Sequence, residues 1–184
     1  MSSFKLIAGV AIPDTTKLKR EYKQSRGRLY LTLFAEDYPA FWRESVKLLG
    51  EGVFFFVEIP DDNDQTRLYY LDNCTASVAQ AILKRYSSVL YSDGVIKFGF
   101  GSHSTEDEIY MMDYQTLSIY SQNLAPYEEL LEKMGYLKNK NALLAWDILS
   151  EDNAGECTCI EADDESYVDM INNLIDVGMY PAQG

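Results

Sequence analysis

The segment from Val53 to Asn73 constrains the fold more than any other. Two runs rich in aromatic and β-branched residues, VFFFVEI and RLYYLDN, flank PDDNDQT. Such side chains favour extended backbone, and a Pro/Asp/Asn cluster between two extended runs turns the chain back on itself. The segment therefore predicts an antiparallel hairpin with a loop of about four to seven residues. Further strands are expected in RLYLTLF (28–34), VIKFGF (95–100) and EIYMMDYQTLSIYS (108–121), with a polar loop, GSHSTED, between the last two. FKLIAGVAI (4–12), closed by Pro13, and ECTCIEA (156–162) read as the first and last strands. The basic stretch TTKLKREYKQSRG (15–27) reads as a connection, partly helical.

Helical spacing punctuates these strands. DYPAFWRESVKLLGEG opens near Asp37 with Pro39 in its first turn and stops at Gly50. Thr75 can cap ASVAQAILKRYSSVLY, and Pro126 and Gly135 bracket APYEELLEKMGYL. The final DDESYVDMINNLIDVGM is amphipathic, with Val168, Ile171, Leu174 and Ile175 on one face. NALLAWDILS fits helix or strand; Trp146, with apolar neighbours on both sides, is expected to be buried. Helices mixed with hairpin-like strands predict a single α+β domain, its sheet largely antiparallel with helices packed on it. The 184 residues suffice for one sizeable core.

Charge narrows the function. Residues 1–50 hold 9 Lys+Arg and 5 Asp+Glu, whereas residues 51–184 hold 7 and 24; from Asn141 onward there is no Lys or Arg at all. Nucleic acid is a poor partner for such a chain, because phosphate contacts need clustered basic side chains. A cationic protein is a good one. No apolar run approaches the roughly 18 residues of a membrane span, and the start lacks the pattern of a secretory signal. Three cysteines, an odd count, argue against a disulfide scaffold and for a reducing cytoplasm.

Candidate chemistry centres on His103, the single histidine. A zinc site needs three or four ligands, but there is no second histidine, no HExxH and no CxxC, so no metal or other cofactor is expected. GFGSHS lacks a GxSxG elbow, and Gly99 and Gly101 lack the third glycine of a dinucleotide fingerprint. An enzyme reading would set His103 with Asp107 or Glu108 in a pocket lined by Tyr110 and Trp146. A non-catalytic reading treats the acids as a surface: Glu106, Asp107, Glu108 and Asp113, with Asp147, Glu151 and Asp152 as a second cluster, steer a basic partner. Tyr110 and Tyr114 add rigid contact area. A third reading is a generic interaction or scaffold module.

FGFGSHSTEDEIYMMDYQTLSIYS followed by LLAWDILSEDNAGEC resembles segments of immunity proteins from bacterial polymorphic toxin systems, through Gly99, Asp107, Glu108, Ile109, Tyr110, Ala145, Trp146, Asp147 and Gly155. The resemblance covers the C-terminal half. It implies a small cytoplasmic α+β protein that binds and neutralises a toxin domain, without catalysis or cofactor. The acidic balance independently suits a basic toxin such as a nuclease.

Overall fold

A computed structural model describes residues 4–60, 65–161 and 165–182. In chain order the strands are β1 (Val10–Ala11), β2 (Glu21–Ser25), β3 (Arg28–Thr32), β4 (Val53–Pro60), β5 (Thr66–Cys74), β6 (Lys97–Ser102), β7 (Glu108–Met111), β8 (Thr116–Tyr120), β9 (Leu137–Lys138), β10 (Glu156–Cys157) and β11 (Tyr180–Pro181). The helices are α1 (Tyr38–Leu48), α2 (Ala76–Arg85), α3 (Ser87–Leu90), α4 (Ala125–Lys133), α5 (Ala145–Ile148) and α6 (Tyr167–Ile175). Nine strands form one sheet in the order β11-β5-β4-β6-β7-β8-β3-β2-β9. Every pairing in it is antiparallel except β2 with β9. β1 and β10 pair separately as a short ribbon. The fold is α+β, with helices on a largely antiparallel sheet.

The expected hairpin lies toward one edge of this sheet, next to β11: β4 and β5 pair from Pro60↔Thr66 to Val53↔Cys74. One irregularity interrupts them near Val53, where Asn73 takes a left-handed conformation (φ 58°). The stretch expected as a partly helical connection is instead strand β2, joined to β3 by a tight turn at Arg26 and Gly27, both with positive φ. That geometry matches the twist of a two-residue hairpin. Arginine is a weak turn signal there, and Tyr22, fully buried, anchors the strand. The first expected strand shrinks to Val10–Ala11.

Alternation gives the sheet one apolar face. Val53, Phe55 and Val57 of β4, Phe98 and Phe100 of β6, Ile109 and Met111 of β7, Leu117 and Ile119 of β8, and Leu29 and Leu31 of β3 all point to the same side and are buried. On that side lies α1, whose Trp42 ring sits 4.8 Å from Phe98 and 5.8 Å from Phe100. Each such buried side chain contributes about 1.5–3 kcal/mol. Thr75 caps α2 by accepting the Val78 N–H at 3.2 Å. Gly50 and Gly135 follow α1 and α4 with positive φ, as helix stops do.

Two packing expectations need correction. Helix α6 buries Met170, Ile171 and Leu174, while Val168 and Ile175 are exposed. Its apolar stripe is thus rotated by about one residue from the expected one. Trp146 is 42% exposed, because α5 is a single short turn anchored instead by Ala145, which is fully buried.

Candidate partner-binding face

The opposite face of the sheet carries the alternate residues, most of them half-buried, with Phe56 and Ser118 buried among their neighbours. From β5 across to β8 these are Leu68, Tyr70 and Asp72; Phe54, Phe56 and Glu58; Lys97, Gly99 and Gly101; Glu108 and Tyr110; Ser118 and Tyr120. β3 and β2 extend the face with Arg28, Tyr30 and Lys23. Of the described segments, α5 reaches over this face at one corner. There the Ala145 N–H donates to Thr32 Oγ1 at 2.9 Å, and Lys23 Nζ lies 3.0 Å from Asp147 Oδ2.

The middle of the face is an aromatic platform built on two glycines. A Cβ on Gly99 would lie 2.4 Å from Phe56 Cζ, and one on Gly101 would lie 2.3 Å from Phe54 Cζ. The two phenyl rings therefore lie across the strand where side chains are missing. Tyr70 flanks them at 6.0 and 6.3 Å, Tyr110 meets Phe56 at 5.3 Å, and Tyr180 extends the array from Tyr70 at 6.3 Å. Such ring contacts are each worth about 0.5–1.5 kcal/mol beyond burial.

Carboxylates border the platform. Glu58 accepts the Tyr110 hydroxyl at 2.7 Å, and burial first, then this bond, push the Tyr110 phenol well above its ordinary range. Asp72 accepts the Tyr180 hydroxyl and faces His103 Nε2 at 3.1 Å. The Tyr180 bond, then the His103 bond, hold the Asp72 carboxyl below the usual carboxylate range. His103 itself stacks on Phe54 at 4.6 Å and 30°. Glu108 pairs with Arg28 Nη1 at 2.9 Å, and the Arg28 guanidinium also lies 5.1 Å from the Tyr120 ring centroid. Asp113 pairs with Lys97 at 3.1 Å.

The sequence-derived site residues divide between this face and elsewhere. Glu108, Tyr110 and Asp113 belong to it, with Glu106 exposed in the adjoining loop. Asp107 does not: it is buried and accepts the Tyr127 hydroxyl at 2.8 Å, so it ties α4 to the sheet and is not presented to a partner. Consecutive acids splay to opposite faces, which sends Asp107 inward and Glu108 outward. Tyr114 is also structural. Left-handed at φ 55°, it donates to the Gly155 carbonyl at 3.3 Å and packs where a Gly155 side chain would sit. Asp147 caps α5 through the Leu144 N–H at 2.8 Å. Burial opposes its ionisation, but that N–H and the Lys23 ammonium outweigh it and hold the carboxyl below its ordinary range. Glu151 and Asp152 are exposed in the turn beyond α5.

The pocket of the enzyme reading is not assembled: His103 meets Asp72, Asp107 faces Tyr127, and Trp146 lies on α5 at the Thr32 corner. Among the described residues no group of three or more His, Cys, Asp or Glu could hold a metal ion. No helix among them is long and apolar enough to cross a membrane. No protein-family model, curated protein or solved structure matches the chain.

Phe54, Phe56, Glu58, Tyr70, Asp72 and Tyr180 were not singled out by motif reading. Their signal is the pairing of Phe-x-Phe in β4 with Gly-x-Gly in β6, which needs the strand register to be seen.

Proposed function

We propose that this chain is a non-catalytic binding protein that engages a basic partner protein through the open sheet face, as an immunity protein engages its toxin in the bacterial cytoplasm. The observation that carries the reading is the combination on one sheet face of an aromatic platform with the carboxylates of Glu58 and Asp72, free of Lys and Arg ion pairs among the described residues, and of Glu108 and Asp113, paired with Arg28 and Lys97. Rigid rings give contact area at small entropic cost, and surrounding acids accelerate encounter with a cationic surface. A second copy of the chain is a poor occupant, since both would carry a formal charge of -13. A basic nuclease domain is a good one, because an acidic face can cover the surface it offers to phosphate. The exposed Trp146, next to Asp147 at the corner of the face, extends the contact area. The three cysteines, all unpaired, fit a reducing compartment.

Affinity capture from the source cell tests this, with the native chain and a Glu58→Gln/Asp72→Asn/Glu108→Gln chain as baits. The native bait should retain one basic protein that elutes as salt rises, and the triple variant should lose it. Expression of the retained protein alone should harm the cell, and co-expression of this chain should protect it. A partner held equally by both baits refutes the face. A partner that is harmless alone refutes the immunity role.

A further inference from the structure

The open face also carries information on which basic side chain it takes. Glu58 and Asp72 stand at two ends of the platform, and among the described residues neither forms an ion pair with Lys or Arg; Lys97, directly across from Glu58 on β6, pairs with Asp113 instead. Glu58 sits opposite Leu68, four residues before Asp72 on β5. At about 3.3 Å per residue along a strand and about 4.8 Å between strands, the backbones of the two residues are about 14 Å apart. Each adjoins aromatic rings: Tyr110 donates to Glu58, Tyr180 donates to Asp72, and Tyr70 and the His103-stacked Phe54 lie next to Asp72.

Elsewhere the chain uses this same combination for its own arginines. Arg28 lies 5.1 Å from the Tyr120 centroid while pairing with Glu108 at 2.9 Å. Arg20 lies 4.0 Å over Phe34 while reaching Asp37 at 2.9 and 3.1 Å. At Asp72 the arrangement is taken by His103, a planar ring that stacks on Phe54 and meets the carboxylate edge-on. Its side chain is 66% exposed, so it can swing aside. A planar, weakly hydrated guanidinium satisfies ring face and carboxylate together, whereas an ammonium is a compact, strongly hydrated point charge.

We infer that the face recognises arginine: it takes two guanidinium groups of its basic partner, about 14 Å apart, one at Glu58 against the edge of Tyr110 and one at Asp72 against Phe54 and Tyr70. This rests on the binding role proposed above and assigns its chemistry. Two arginines four residues apart on an extended segment span about that distance and project to the same side.

The test is an NMR titration of the full chain with the blocked pentapeptide Arg-Thr-Val-Thr-Arg, its Lys-for-Arg counterpart, and a peptide of the same composition with adjacent arginines. The spaced arginine peptide should shift the signals of Phe54, Tyr70 and Tyr110 and bind several-fold tighter than the other two. Glu58→Gln, Asp72→Asn and Phe54→Ala should each weaken it about two- to fivefold. His103→Ala, which clears the Asp72 position, should not weaken it. Equal binding of all three peptides, shifts scattered over the acidic surface, or indifference to Glu58→Gln and Asp72→Asn overturns the inference. Such a result, with the captured partner still lost from the triple variant, leaves the binding role standing and removes the arginine mode alone.

Discussion

Substituting alanine at Gly99 and at Gly101 separates what the two glycines do. Both lie in β6 without a positive φ, so the backbone accepts alanine and the consequence is steric. At Gly99 the new Cβ would sit 2.2 Å from the Ile109 carbonyl oxygen and 2.4 Å from Phe56 Cζ. The oxygen belongs to the neighbouring strand and cannot move without disturbing the β6–β7 pairing. At Gly101 the three nearest atoms, at 2.3, 2.8 and 2.9 Å, all belong to the Phe54 ring. That ring is half-exposed and can rotate away. Gly99→Ala should therefore cost about 2–3 kcal/mol, in the range of overpacked cores. For a chain of this size that lowers the melting temperature by about 4–12 °C, at about 2–4 °C per kcal/mol. Gly101→Ala loses the Phe54 contacts with His103 and Tyr70, about 0.5–1.5 kcal/mol each. It regains about 0.4–1 kcal/mol from the reduced freedom of the unfolded chain. The net cost should be about 1.3 kcal/mol at the middle of these ranges, a melting shift of about 3–5 °C and smaller than that of Gly99→Ala. Urea unfolding with unchanged slope measures both. The ring-current shift of the His103 imidazole protons, set by the Phe54 stack, should collapse in Gly101→Ala and persist in Gly99→Ala. Equal destabilisation by the two substitutions, or an intact His103 stack in Gly101→Ala, refutes the account of the platform.

Tyr127→Phe leaves the buried Asp107 carboxylate without its hydroxyl donor and should cost about 1.5–3 kcal/mol, as loss of a hydrogen bond to a charged group does; an unchanged urea midpoint would show that water replaces the tyrosine. Trp146→Ala should cost less than about 1 kcal/mol, while Trp42→Ala should cost about 3–5 kcal/mol; similar melting shifts would contradict their different burial. Asp72 is held below its unfolded range of about 3.9, so its stabilising effect is present above that pH and is lost as pH falls through the folded value. Asp72→Asn should accordingly be less stable than the native chain at neutral pH, with the deficit shrinking as the pH falls through the folded value, and an identical deficit at every pH would show that the Tyr180 and His103 bonds do not depend on the charge.

How much of this was legible in the sequence depended on whether the signal was local. The β4–β5 hairpin, the Thr75 cap and the glycine stops after α1 and α4 are written in neighbouring residues, and each stands where local chemistry put it. Strand β2 was hidden because its turn is Arg26-Gly27, and the positive φ of an arginine follows from pairing with β3 and not from its own preference. Trp146 was misjudged because apolar neighbours in sequence are not neighbours in space when the helix is one turn long. The run Glu106-Asp107-Glu108 reads as one acidic patch only until alternation is applied. The register then sends Glu108 to Arg28 on the open face and Asp107 to Tyr127 on the helical side.

The candidate face is the extreme case of a non-local signal. Gly-Phe-Gly in β6 is uninformative by itself, and so is Phe-Phe-Phe in β4. Set in register, Phe56 falls opposite Gly99 and Phe54 opposite Gly101. The middle phenylalanine of each run, Phe55 and Phe100, then turns inward to the core, 5.0 Å apart. One triplet thus serves two faces. Its centre ring stabilises the sheet against α1, and its outer rings lie over glycines on the opposite side, Phe56 buried and Phe54 half-buried. A strand built only for stability has no use for glycine at two positions, since each weakens it by roughly 0.5–1 kcal/mol. The gain lies in what the missing side chains allow, the packing of Phe54 and Phe56 across β6 between Glu58 and Asp72.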